Sequence, residues 1–323
     1  MKRIAMLLFV VLLASGLVTV AVAPSAIAAT NLKTDMVNVG DARELDTNYA
    51  APFNVNLNEW FAAHRPTGDQ KIRFDTVFQT PRIMVATVIN KGQLFGLHYH
   101  TMADEIVFLL KGNCKEYVDG KWLPMVPGQI HYNPRGIIHG TQCSDEALEL
   151  HYFTPVPGDA DRVFLGSGKT QAKEGDIAGD WSMVDTQFKT NVLIPLEEWY
   201  PAHPILAGQT MRLDLPMGTM RNQMVIASKP QLGPHYHGSA DEIIYVYRGE
   251  GEELINGKWL KLKAGDIHFC PRGFIHAIRP VSDDFKIFAV FTPAPANGAD
   301  RIFVTPPTAV AGDKPAATTA PAK

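Results

Sequence analysis

The chain has 323 residues, 46% of them hydrophobic and 20% charged, with 26 Gly and 23 Pro. At roughly 100–200 residues per domain this suggests about two globular domains, and the apolar content excludes wholesale disorder. A net charge of −3 leaves no basic footprint, so nucleic acid is not an expected partner, and three Cys are too few for a disulfide scaffold.

The N-terminus reads as a secretory signal peptide. Lys2 and Arg3 precede an almost wholly apolar run from Ile4 to Ala23, and the small residues Ala26-Ile27-Ala28-Ala29 follow. This layout predicts cleavage near Ala28 or Ala29, with residues 1–29 removed and the mature chain periplasmic or secreted. No Cys follows the apolar run and only one Arg precedes it, so neither a lipoprotein anchor nor twin-arginine export is indicated. Stable membrane insertion is not expected once the signal is cleaved.

The remainder is an internal duplication. Placing 98–139 over 235–276 without a gap gives 21 identities in 42 pairs. Upstream, Glu59-Trp60 answers Glu198-Trp199 and Arg73-x-Asp75 answers Arg212-x-Asp214; downstream, Phe153-Thr154-Pro155 answers Phe291-Thr292-Pro293 and Asp161-Arg162 answers Asp300-Arg301. Two copies of one domain are expected at 45–165 and 188–305, with a linker at 166–187 and a disordered Pro/Ala/Thr-rich tail at 306–323. The linker contains Gly166-Ser167-Gly168-Lys169-Thr170, which looks like a phosphate loop. The leading Gly of that motif is replaced by Val163, so it is read as a decoy.

Each copy reads as β. Strand-like runs at Ile83–Ile89, Ile106–Leu110, Met224–Ala227 and Ile243–Tyr247 are punctuated by Gly and Pro. Asp119-Gly120 and Asn256-Gly257 are two-residue hairpin signals, since both turn positions require φ > 0. Only Asn58–Ala63 and Leu196–Ala202 suggest single helical turns. The expected class is all-β, with a small antiparallel barrel or jelly roll in each half.

The chemistry lies in eight residues. His98-x-His100, Glu105 and His139 recur at identical spacing as His235-x-His237, Glu242 and His276. Residues i and i+2 of a strand share a face, so each HxH pair presents two imidazoles to one side. Glu105 has the wrong parity for the same strand, so the chain must bend at 101–104 to bring it back on a neighbour. Three imidazoles and a carboxylate form an N3O set suited to a divalent transition metal with open positions, two ions per chain.

These residues resemble the cupin superfamily. The first cupin motif, G(x)5HxH(x)4E(x)6G, is met by Gly92, His98, His100, Glu105 and Gly112; the second, G(x)5PxG(x)2H, by Gly128, Pro134, Gly136 and His139. The later copy matches with His235, His237, Glu242, Gly249, Gly265, Pro271, Gly273 and His276, but has Lys229 at its first Gly. The Asn that often closes the second motif is Cys143 in one copy and Pro280 in the other. The resemblance implies a bicupin with both metal sites intact, which weighs against a storage role. It implies manganese or iron, whereas export and the Irving–Williams order favour copper, nickel or zinc.

The resemblance also orders the reactions. The four-residue gap before Glu105 and Glu242 is similar to that of quercetinases and germins. Phe95 and Leu232 stand where oxalate decarboxylases carry a substrate-binding Arg. With Val107, Leu109, Ile244 and Val246 facing inward by parity, an apolar cavity is expected near each metal, fitting an enolic or phenolic small molecule with dioxygen as co-substrate. Glu105 and Glu242 are then the candidate catalytic bases. The alternatives are an oxalate or related acid decarboxylase or oxidase, and a non-catalytic metal- or ligand-binding envelope protein. A monomer and a small homo-oligomer are both compatible. Arg73 and Arg82 are read as salt-bridge residues, and the repeated His131 and His268 as facing either the cavity or a partner sheet. The cysteines are not repeated; an exported setting permits one disulfide, with Cys114–Cys143 as a pairing.

Overall fold

The computed structural model describes residues 53–154, 162–165, 192–202, 216–217, 220–226, 233–255, 257–292 and 301–304. The expected signal peptide, the linker, the Gly166–Thr170 segment and the tail lie outside them. The chain opens with β1 (Phe53–Asn56) and α1 (Leu57–Ala63). The first repeat follows as β2 (Ile72–Gln79), β3 (Met84–Lys91), β4 (Leu94–His100), β5 (Asp104–Lys111), β6 (Cys114–Val118), β7 (Lys121–Met125), β8 (Gln129–Asn133), β9 (His139–Cys143), β10 (Glu146–Thr154) and β11 (Arg162–Phe164). Then come β12 (Val192–Pro195) and α2 (Leu196–Ala202). The second repeat is β13 (Pro216–Met217), β14 (Met220–Ile226), β15 (His235–His237), β16 (Asp241–Arg248), β17 (Glu250–Ile255), β18 (Lys258–Lys263), β19 (Asp266–Cys270), β20 (His276–Pro280), β21 (Lys286–Thr292) and β22 (Arg301–Phe303).

Each half is a six-stranded sheet facing a five-stranded one, the tandem β-barrel architecture expected from the sequence. In the first half the orders are β12-β8-β5-β10-β3-β2 and β11-β4-β9-β6-β7; in the second, β1-β19-β16-β21-β14-β13 and β18-β17-β20-β15-β22. The Asp119-Gly120 hairpin joins β6 to β7 with φ of 47° and 77°, the two positive values that a primed turn needs.

The edge strands are exchanged. β1 precedes the first repeat yet pairs with β19 of the second, while β12 precedes the second repeat and pairs with β8 of the first. Each exchanged strand runs straight into a short helix anchored on the same barrel: Leu57 N–H donates to Gly265 O at 2.9 Å and Leu196 N–H to Gly128 O at 3.1 Å. The Asn56 side chain caps α1 by accepting from the amides of Asn58 and Glu59.

Between the barrels lies the largest apolar cluster. Ile106, Phe108, Tyr132 and Tyr152 of the first six-stranded sheet meet Ile243, Tyr245, Phe269 and Phe288 of the second. The Phe108 and Phe288 rings are 4.6 Å apart, edge to face. This contact explains why β3 and β5 are buried along nearly their whole length. One face of each strand lines the barrel and the other packs on the partner barrel, so the period-2 alternation of a half-exposed strand is absent. Among the described residues no helix is long and apolar enough to cross a membrane.

Phe108→Ala should lower unfolding free energy by about 3–5 kcal/mol, because the vacated volume sits between two sheets that cannot both collapse into it. Denaturant titration checks this; a loss below about 1 kcal/mol would mean that the barrels do not depend on this contact.

Candidate functional site

The structure brings each predicted set of four together. In the first barrel His98 and His100 lie on β4, Glu105 on β5 and His139 on β9; in the second the corresponding strands are β15, β16 and β20. His98 stands opposite His139 in the ladder, as His235 does opposite His276. The ligand-type atoms within each set are all within 4.8 Å of one another, and all eight side chains are buried. The two sets are nearly congruent: ring centroids of His98 and His139 are 4.3 Å apart, those of His235 and His276 4.4 Å.

The bend that returns Glu105 has a specific anchor. Gly136, at φ 75°, donates its amide to His100 O at 2.7 Å. Arg135 donates its amide (2.9 Å) and Nε (3.0 Å) to Asp104 Oδ1. Gly273 and Arg272 repeat this on His237 and Asp241. The Arg of each Pro-Arg-Gly turn thus ties the ligand-bearing loop to the residue before the glutamate, a structural role that sequence left open.

The imidazole orientations are set from behind. Nδ1 of His98 donates to Gly96 O at 2.8 Å, and Nδ1 of His139 to Ile137 O at 2.8 Å. His235 and His276 do the same to Gly233 O and Phe274 O. A neutral imidazole that donates through Nδ1 carries its lone pair on Nε2, so these nitrogens face the centre as acceptors. His139 Nε2 lies 2.9 Å from Glu105 Oε2, and His276 Nε2 2.7 Å from Glu242 Oε2. Two lone-pair donors at such range, buried, are matched to a shared cation. Burial, with the neighbouring His276 and His139 imidazoles, pushes His235 down to about 2 and His98 well below its ordinary value. Burial opposes ionisation of Glu105, but the adjacent His139 and His151 imidazoles outweigh it and hold the carboxyl well below the usual range. His237 and His276 do the same for Glu242. Three buried imidazoles converging with a carboxylate are the donor set that a divalent metal requires, so both sets fit one.

The barrels differ behind these sets. Glu105 is held at both oxygens, by Asn133 Nδ2 (3.0 Å) and His151 Nδ1 (2.8 Å), and His151 Nε2 is 3.1 Å from Glu149 Oε2. In the second barrel Cys270 replaces Asn133 and Ala289 replaces His151. The apolar interior expected from parity describes the second barrel, where Ile244, Val246, Ile287, Ala289 and Phe291 cluster. It does not describe the first, where Glu149 and His151 stand buried and inward on β10; the buried pair Glu116–His131 is shared, being matched by Glu253–His268 in the second barrel. Glu149 and His151 escaped the sequence reading because only β5 and β16 were assigned inward faces, while β10 carries both on alternate positions. His131 and His268 do face the interior: His131 Nδ1 is 2.8 Å from Glu116 Oε2, and His268 Nε2 is 3.0 Å from Glu253 Oε1. Arg73 pairs with Asp75 at 2.7 Å, and Cys114 and Cys143 form a disulfide.

At the mouth of the first site stand Phe95, Phe164 and Arg162. Phe95 and Phe164 ring centroids lie 5.2 and 5.3 Å from that of His98, and the Arg162 guanidinium is 4.8 Å from the Phe95 ring centre. Phe164 is 54% exposed. Arg301 and Phe303 occupy the matching places, opposite His237 and His235.

Two outcomes follow from this geometry. His98→Ala or His235→Ala should each remove one of two metal ions per chain, read by elemental analysis; retention of both would show that the emptied set is not a ligand set. Burial, with the nearby His139 imidazole, holds His131 at about 3 against 6.5 in the unfolded chain. The unfolded state therefore takes up a proton between pH 6.5 and 3 that the folded barrel refuses, and stability falls as pH falls through that window. Replacing His131 by Gln should flatten the acid limb by about 1.4 kcal/mol per pH unit, measured by denaturant midpoints across that range.

The chain's similarities agree with this geometry. The cupin-domain family profile matches residues 85–154 and 223–291. An uncharacterised protein of Aquifex aeolicus is 35% identical over 83 residues, 26% of this chain and 68% of that protein. Among solved structures, a salicylate 1,2-dioxygenase variant from Pseudoaminobacter salicylatoxidans in complex with gentisate aligns with a TM-score of 0.54 at 13% identity, over 81% of this chain and 87% of its own. Oxalate decarboxylase from Bacillus subtilis aligns at 0.50 and 14% identity, over 86% of each. A cupin 2 conserved barrel protein from Leptotrichia buccalis aligns at 0.53 and 12%, over 77% and 99%. The chain belongs to the cupin family, with one cupin domain and one candidate metal centre in each half.

Proposed function

We propose that the chain is an exported, metal-dependent oxidoreductase of the dioxygenase kind, acting on a phenolic or enolic small molecule with dioxygen as co-substrate. The observation that carries this reading is the pairing of a buried N3O set with an aromatic and cationic mouth. Phe95 and Phe164 present ring faces or edges to a flat substrate, and Arg162 supplies a positive partner for a carboxylate or phenolate. Phe303 and Arg301 do so in the second barrel. Each ion would serve as Lewis acid and as template for substrate and dioxygen; its identity is open among manganese, iron, copper, nickel and zinc.

The chain's own residues divide two roles. Glu105, tied at both oxygens by Asn133 and His151, is suited to remain a fixed ligand. Glu242 has Cys270 and Ala289 where those ties would be. It is therefore the freer carboxylate to swing from His237 and His276 and take a substrate hydroxyl proton. Leaving those imidazoles removes the contacts that hold it ionised, so its proton affinity rises as it moves. This reading makes the second barrel the site of turnover. A substrate carboxylate on Arg162 or Arg301 also suits the second reading, a decarboxylase or oxidase of oxalate or a related acid.

The deciding experiment follows oxygen uptake by the metal-loaded mature protein across phenolic acids, catechols, flavonols, diketones and oxalate. The proposal expects uptake on a phenolic or enolic compound, abolished by His235→Ala and partly kept by His98→Ala, with KM raised by Arg301→Ala. Formate and carbon dioxide from oxalate without net oxygen use would establish the second reading. Two bound ions and no turnover on any compound would leave a metal- or ligand-binding envelope protein. N-terminal sequencing of the natively expressed chain tests export, and an intact Met1 would refute it.

A further inference from the structure

The first barrel contains a second cluster of metal-ligand side chains. Cys114 on β6 and Cys143 on β9 stand directly opposite each other in the ladder and are joined as a disulfide. Glu149, from β10, aims Oε1 at both sulfurs, 3.5 Å from Cys143 Sγ and 3.8 Å from Cys114 Sγ. All three side chains are buried, and their ligand atoms lie within 4.8 Å of one another. A disulfide sulfur has no proton to donate. The closed bridge therefore sets a buried carboxylate oxygen against two acceptors, an arrangement that burial makes unfavourable. Two thiols would satisfy the same oxygen as donors, and a cation shared with two thiolates would satisfy it fully.

Two further observations point to a ligand. A cavity of about 320 Å³ has Cys114, Cys143 and Met125 among its lining residues, next to the bridge. The second barrel carries Gly251, Pro280 and Ile287 at the three matching places, so the barrel does not need the cluster in order to fold.

We propose that Cys114, Cys143 and Glu149 form a third metal site, closed while the disulfide stands and open to a thiophilic divalent ion once a dithiol reductant has opened it. The disulfide takes two electrons and two protons from the dithiol, which leaves as its own disulfide. The two thiols then release their protons to solvent as both thiolates and the carboxylate close on the ion. Three protein ligands leave the fourth position of a tetrahedral ion to water. This site is separate from the two histidine sets, and its test does not depend on the proposed reaction.

Cobalt(II) is the probe, because thiolate-to-cobalt charge transfer absorbs where imidazole and carboxylate ligation does not. Oxidised and dithiol-reduced samples of the full chain are titrated side by side, with thiols counted in denaturant as one and three respectively. The proposal expects one more cobalt per chain in the reduced sample, with a charge-transfer band absent from the oxidised one. Cys270 is a free thiol in both samples and cancels from the comparison. Cys143→Ser should lose the extra ion and the band, and Glu149→Gln should weaken uptake by about tenfold or more. A fully reduced sample with no added cobalt or no band overturns the proposal, as does a band that survives Cys143→Ser. Failure of excess dithiol to open the bridge in the folded protein also overturns it. Should Cys143→Ser not fold, the oxidised and reduced wild-type samples decide alone.

Discussion

Desolvation of ionisable groups governs this structure. Three imidazoles and a carboxylate, buried within a few ångströms of one another in each barrel, form an arrangement that an apolar interior tolerates only if every charge and lone pair has a counterpart. The backbone supplies half of the solution. The carbonyls of Gly96, Ile137, Gly233 and Phe274 fix Nδ1 as a donor, which leaves Nε2 as the inward acceptor. A divalent cation would supply the other half. The Pro-Arg-Gly turns, the Asp104 and Asp241 anchors and the register of His98 on His139 all keep these lone pairs convergent.

Much of this was legible because it is local or repeated. The HxH pairs declare their shared face by strand parity, and the Asp119-Gly120 turn is legible in two residues. The duplication separates what both barrels need from what one has acquired. Other features depend on pairing between distant strands. Glu149 and His151 lie in a run, Glu146 to Thr154, whose polar residues could equally have faced solvent. Only the register of β10 between β3 and β5 turns them inward. The role of Arg135 was likewise invisible, since its partner Asp104 lies 31 positions away and a turn arginine is usually solvated.

The barrels hold the same ligand set against unlike backgrounds. In the first, a polar column runs from Glu105 through His151 and Glu149 to the Cys114–Cys143 bridge. In the second, Ala289 and Ile287 close that route with apolar packing. Identical ligands backed by different neighbouring side chains differ in basicity, mobility and solvent access, so the two centres differ although their ligands match.

The strand exchange gives this divergence a setting. A lone half would leave a sheet edge bare where β1 or β12 now sits, and two such halves could complete each other only by meeting in solution. In a homodimer of that kind every substitution appears in both subunits, so a residue that favours one centre is forced on the other. Joining the halves in one chain makes the encounter intramolecular and independent of concentration. It also frees each half to change alone. The exchanged strands thus bind into one molecule what is in effect a permanent heterodimer, in which one barrel can keep an ancestral interior while its partner acquires another.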